Sequence, residues 1–117
     1  TMSPEIAKQL EKGMRAQEVC ILREMLATTG KLERHLEQLL KSGMPVPQAV
    51  AAMLSSAFLS GVKFGGVHGV EISNKHPEVP LGVYAMMTVE SVDTVAERIG
   101  RDDKAMLNAE ATNPERN

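Results

Sequence analysis

Apolar residues recur along this chain at steps of three and four, the spacing of one face of a helix. Ile6, Leu10 and Met14 open the series, and Val19, Leu22 and Leu26 continue it. Ser3 supplies an N-cap, Pro4 suits the first helical position, and Glu5 complements the positive end of the helix dipole. Together they predict a helix over 4–29. Gly13 weakens its first half. The thin apolar face before Gln17 marks 1–16 as a flexible segment that orders only on association. Thr28-Thr29-Gly30 predicts a stop or kink. Leu32, Leu36, Leu39 and Leu40 then form the stripe of a helix over 31–42, with Lys31, Glu33, Arg34, Glu37 and Lys41 on its wet side.

Ser42-Gly43 closes that helix. Met44-Pro45-Val46-Pro47 is a stiff link, because each proline fixes its own φ and keeps its predecessor extended. A third helix is predicted over 47–64. Val50, Met53, Leu54, Ala57, Phe58 and Gly61 share one face of it, and Ala52, Ser56 and Ser60 form a second row of small residues suited to tight packing. Gly61, Gly65, Gly66 and Gly69, followed by Asn74 and Pro77, predict a loop over 61–79. Weak alternation at Val67, Val70 and Ile72 leaves a short strand open there. A fourth helix is predicted over 80–99, where Leu81, Ala85, Thr88, Val89, Val92, Val95, Ala96 and Ile99 fall within an arc of about 120°. The polar run 108–117 predicts a flexible tail. The expected fold is all-α, one small helical bundle of about four helices over 1–117, completed by dimerisation.

Composition narrows the function. The chain has 117 residues, 43% hydrophobic and 24% charged, with a net charge of −2, a globular balance without the basic surface that nucleic-acid binding needs. Aromatic residues are limited to Phe58, Phe64 and Tyr84, too few for a base-stacking platform. The start carries no basic region followed by an apolar core, so a signal peptide is not expected. With a single cysteine, the chain is expected in a reducing cytoplasm. The uncharged stretch from Ser42 to Val62 is long enough to span a bilayer. Pro45, Pro47, Gln48 and three serines interrupt it, and a buried helix is expected instead, with no membrane.

Candidate chemistry is sparse. Cys20 lies in Val19-Cys20-Ile21-Leu22, an apolar context that predicts a small buried core residue and not a thiolate nucleophile. The chain has no His-x-x-x-His pair, no phosphate loop and no Gly-x-Ser-x-Gly elbow. His68, Glu71, His76 and Glu78 share the predicted loop, and a small metal-binding module over 68–78 is one alternative reading. His35 is expected as a surface or interface residue and not a ligand. The helix around Ala49–Ser60 lacks the side chains of a DNA-recognition helix. Neither catalytic residues nor metal ligands nor a cofactor are expected, and the chain is not read as an enzyme.

The first turns of the 80–99 helix are more informative. Val83, Tyr84, Met86 and Met87 lie outside its core arc, so this half is apolar nearly all round. A chain of this size has little room to bury such a helix completely. The remaining surface is expected to meet another chain, with Tyr84, Met86, Met87 and Val83 as anchors and Phe58, Leu59 and Val62 as the next set. A homodimer that buries these turns is expected, as is a partner protein held by hydrophobic helix docking.

In size, helix content and Met/Val-rich helices the chain resembles the small helical antiactivators of quorum sensing. The resemblance rests on no diagnostic motif and carries no residue role across. It implies a dimer that blocks the ligand-binding domain of a LuxR-type transcription factor. A structural or adaptor subunit of a phage or bacterial assembly is the other alternative.

Overall fold

The computed structural model describes the backbone of residues 3–111 and the side chains of residues 3–101. The fold is all-α, with four helices in chain order: α1 (Pro4–Lys12), α2 (Ala16–Lys41), α3 (Val46–Lys75) and α4 (Leu81–Ala111). Among the described residues there is no strand, so the strand left open at 67–72 does not form.

Helix ends follow local chemistry. At the start of α1 the Ile6 N–H donates to Ser3 Oγ at 3.3 Å, the capping bond expected from Ser3-Pro4. α1 stops at Gly13, and α2 begins afresh with its own capping contact. Glu18, the third residue of α2, reaches back so that Oε2 accepts from the Arg15 backbone N–H at 2.9 Å, half of a capping box. The single helix expected over 4–29 is thus two, divided at Gly13.

The expected break at Gly30 does not occur. α2 runs through it to Lys41 and ends in a Schellman motif. The Met44 N–H donates to the Leu39 carbonyl and the Gly43 N–H to the Leu40 carbonyl, both at 3.1 Å. Gly43 sits at φ 92°, the one positive φ among the described residues, where a side chain would crowd the following carbonyl.

α3 departs most from the sequence expectation. It continues through Gly61, Gly65, Gly66 and Gly69 to Lys75. A helix-interior glycine costs roughly 1 kcal/mol against alanine, a preference that the intact backbone ladder and the packing of Phe64, His68 and Ile72 override. The connection expected over 61–79 shrinks to a short turn, in which the Val79 N–H donates to the His76 carbonyl at 3.0 Å. α4 likewise passes Gly100 and reaches Ala111. Of the tail expected over 108–117, residues 108–111 are helical and 112–117 lie outside the described residues.

The chain divides into two compact units, 1–22 with 86–117, and 23–85. In the first, Leu10, Leu22 and Val95 are buried, Leu22 completely. The segment read as ordering only on association therefore contains a helix with a core residue, Leu10. Gly13 is held by Arg98, whose Nη1 donates to the Gly13 carbonyl at 2.8 Å, and Gln17 Nε2 donates to Thr88 Oγ1 at 3.0 Å. Ser91 is buried too, its hydroxyl satisfied by the Met87 carbonyl at 2.9 Å. In the second unit, Ala49, Met53, His68 and Tyr84 are buried.

Candidate protein-docking surface

Helix geometry places Ala49, Ala52, Met53, Ser56 and Ser60 on one side of the first half of α3. Ala49 and Met53 are buried, and the other three are half-buried. The row of small residues is thus the covered side, as its spacing suggested. The opposite side carries Val46, Val50, Leu54, Phe58 and Val62, all exposed, with Leu54 at 68% and Phe58 at 71%. Of the apolar face read from sequence, Met53 alone is buried; Val50, Leu54, Ala57, Phe58 and Gly61 face outward. The physical reason is steric. Alanine and serine let a neighbouring helix approach closely, and a phenylalanine–leucine ridge does not.

The second half of α3 buries a different side. Phe64, His68 and Ile72 are covered, and His68 lies between two aromatic rings. It stacks on Phe64 with centroids 5.1 Å apart and planes 14° off parallel, and it tilts against Tyr84 at 6.4 Å. Tyr84 is therefore packed in the chain's own interior at 9% exposure. It is not the exposed anchor expected from sequence. Val83, Met86 and Met87 on α4 are exposed, as are Phe58, Leu59 and Val62 on α3. The apolar arc expected to form the core of the 80–99 helix is turned outward in part. Leu81, Val89 and Val92 are exposed, while Tyr84, Ser91 and Val95 form the buried side. Ser91 tolerates burial because its hydroxyl bonds within the helix.

Among the described residues, fifteen large hydrophobic side chains are exposed and six hydrophobic residues are buried. Scattered exposed apolar residues are ordinary, but a contiguous patch marks a contact surface. α3 is also long and apolar enough to cross a membrane by length and composition, with 6% of its most apolar window buried.

The alternatives in chemistry find little support. His68 and Glu71 lie on α3, not in a loop, and His76 pairs with Glu78 at 3.4 Å. Among the described residues no group of three or more His, Cys, Asp or Glu is placed to hold a metal ion. A cleft of about 480 Å³ between α2 and α3 is lined by Lys31 and Lys63 against Glu24 and Glu71. Its charges balance, so it does not select a ligand by charge. His68 borders this cleft, and its Nε2 is buried without a hydrogen-bond partner. Cys20 is exposed on α2, contrary to the core position its neighbours suggested. Val19 and Ile21 are half-buried beside it, so helical rotation, not the local apolar run, decides its exposure.

Glu18 is a buried charge of the first unit. Its carboxylate accepts from Arg15 Nη2 at 2.9 Å and from Arg15 Nε at 3.3 Å. These side-chain bonds, then the Arg15 backbone N–H, hold its pKa below the ordinary carboxylate value against the cost of burial. Glu18 is thus structural, fixing the start of α2.

Compared with protein-family models, curated proteins and solved structures, the chain finds no match.

Proposed function

We propose that this chain is a non-enzymatic regulatory protein that binds another protein and inhibits or sequesters it by hydrophobic helix docking. The observation that carries this reading is the orientation of α3. In its first half the covered side is mostly alanine and serine, and the open side carries valine, leucine and phenylalanine. Burial of apolar area is the main driving force of folding and of association. A helix that turns its more apolar side outward leaves that area for a second polypeptide to cover. In the other unit, Met86 and Met87 are exposed on α4 and are by themselves adaptable apolar side chains of the kind used on promiscuous binding surfaces. A LuxR-type transcription factor, held as the small quorum-sensing antiactivators hold theirs, is the specific form of this proposal.

The test is affinity capture with the purified chain, wild type against Phe58→Asp, with eluted proteins identified by mass. Removing a buried anchor costs about 2 kcal/mol or more of binding free energy, so the captured partner should be lost at unchanged helicity. Capture that survives Phe58→Asp undiminished would count against the proposal.

A further inference from the structure

The outward side of α3 has more internal order than a random apolar patch. Val46, Val50, Leu54, Phe58 and Val62 follow one another at steps of four and form a ridge. Beside it, again at steps of four, run Ala57, Gly61, Gly65 and Gly69. A Cβ built on Gly61, Gly65 or Gly69 meets nothing within 4 Å. Packing inside the chain therefore does not require glycine at these three positions, although a helix interior is where glycine is least suited. The row forms a shallow groove whose floor is bare backbone.

We infer that a second copy of this chain occupies this face, with the two α3 helices packed antiparallel and the ridge of each in the groove of the other. The inference rests on the reading that the face docks a polypeptide, and it names that polypeptide. Self-complementarity is the first argument. The ridge runs over 46–62 and the small row over 57–69, so reversing one helix brings Val46, Val50, Leu54 and Phe58 against the small row, with Val62 outside the pairing. Val50 then faces Gly65 of the other copy, and Leu54 faces Gly61, with Ala57 and Phe58 about the two-fold axis. Steps of four on both helices are the ridges-into-grooves arrangement commonest among packed helices. A two-fold contact needs such a self-complementary patch.

Area is the second argument. Val46, Val50, Leu54, Phe58 and Val62 are 42–71% exposed, so a second copy over them removes from water the apolar area that drives association. Charge is the third. No Asp, Glu, Lys or Arg occurs from Ser42 to Val62, and depletion of charge with high apolar content is the composition of homodimer interfaces. A bilayer fits less well. α2 lies alongside and exposes Lys31, Glu33, Arg34, Glu37 and Lys41. These would enter the lipid with α3, and their mixed signs offer no attraction to anionic headgroups. The self-contact thus moves from the start of α4, where the sequence suggested it, to α3.

Single cysteines in a Cys20→Ser background test the arrangement on the full chain under mild oxidation. Ala57→Cys, next to the two-fold axis, should link two chains covalently. Val50→Cys, exposed on the same face but far from its own copy in an antiparallel pair, should stay unlinked. Equal linking of Val50→Cys would show a parallel pair and overturn the inference. So would a dimer by mass in which Ala57→Cys does not link. A chain that sediments as a monomer at tens of micromolar, with or without binding to phosphatidylcholine vesicles, would overturn it as well. Capture of a different protein, lost in Phe58→Asp, would then leave the broader functional reading standing. A dimer with no such capture would do the reverse.

Discussion

Replacing Gly61 and Gly65 by alanine separates a solitary α3 from a paired one by the sign of its effect. In the isolated chain neither new Cβ meets an atom within 4 Å, so the substitution acts through helix propensity alone. Alanine is favoured over glycine in a helix interior by roughly 0.8–1 kcal/mol each, so the pair should stabilise a lone chain by about 2 kcal/mol. For a domain of this size that corresponds to a rise in Tm of roughly 8 °C or more. If the ridge of a second α3 lies in the groove, the two methyl groups occupy the space of Leu54 and Val50 of the other copy. Overpacking of a close contact costs roughly 1–3 kcal/mol, so dimer dissociation should become easier by about tenfold or more. The assay is urea unfolding at two protein concentrations a hundredfold apart. Wild type should unfold at higher urea when concentrated, because dissociation is linked to unfolding. The double variant should lose most of that dependence and gain stability at the dilute end. A double variant that is stabilised equally at both concentrations, with the dimer mass unchanged, would refute the placement of a helix over the glycine row.

Other parts of the structure carry predictions of their own. Gly43→Ala should destabilise the chain by about 1–2 kcal/mol, read from a urea midpoint, because Gly43 holds φ 92° at the end of α2. Glu18 has a lowered folded-state pKa. Its contribution is therefore full above the unfolded carboxylate value of about 4.3 and fades as pH falls through the folded value. Glu18→Gln should lower stability at neutral pH and flatten the acid limb of a stability–pH curve. Met87→Asp places a charge on an exposed residue of α4. It should leave helicity and the mass of the pure chain unchanged while weakening capture of a different protein, and a change in mass would return the self-contact to α4.

Helix existence was legible in the sequence wherever a cap or a proline punctuated it. Ser3-Pro4, Ser42-Gly43 and the Pro77–Pro80 region all lie at or beside observed boundaries. Interior glycines misled in the other direction. Gly30, Gly61, Gly65 and Gly100 lie inside continuous helices, because a propensity cost of about 1 kcal/mol is small against the packing of a long helix. The direction each helix faces was less legible still. Periodicity finds an apolar arc but cannot say which arc is covered. In the first half of α3 the small residues won the inside by allowing close approach. On α4 a self-satisfied Ser91 accompanied Tyr84 and Val95 inward while Val89 and Val92 stayed out. Val83, Met86, Met87, Phe58, Leu59 and Val62 are exposed and Tyr84 is buried, a difference that periodicity alone does not show. The groove beside the ridge was hidden because its glycines were read as loop.

The most direct test of a second copy on α3 is sedimentation equilibrium of the pure chain and of Phe58→Asp at tens of micromolar, where even modest self-affinity shows. Wild type should give about twice the chain mass of 12.7 kDa. Phe58→Asp should give the chain mass itself, with an unchanged helical circular dichroism spectrum. A wild-type chain that sediments as a monomer, or a Phe58→Asp chain that remains a dimer, would contradict it.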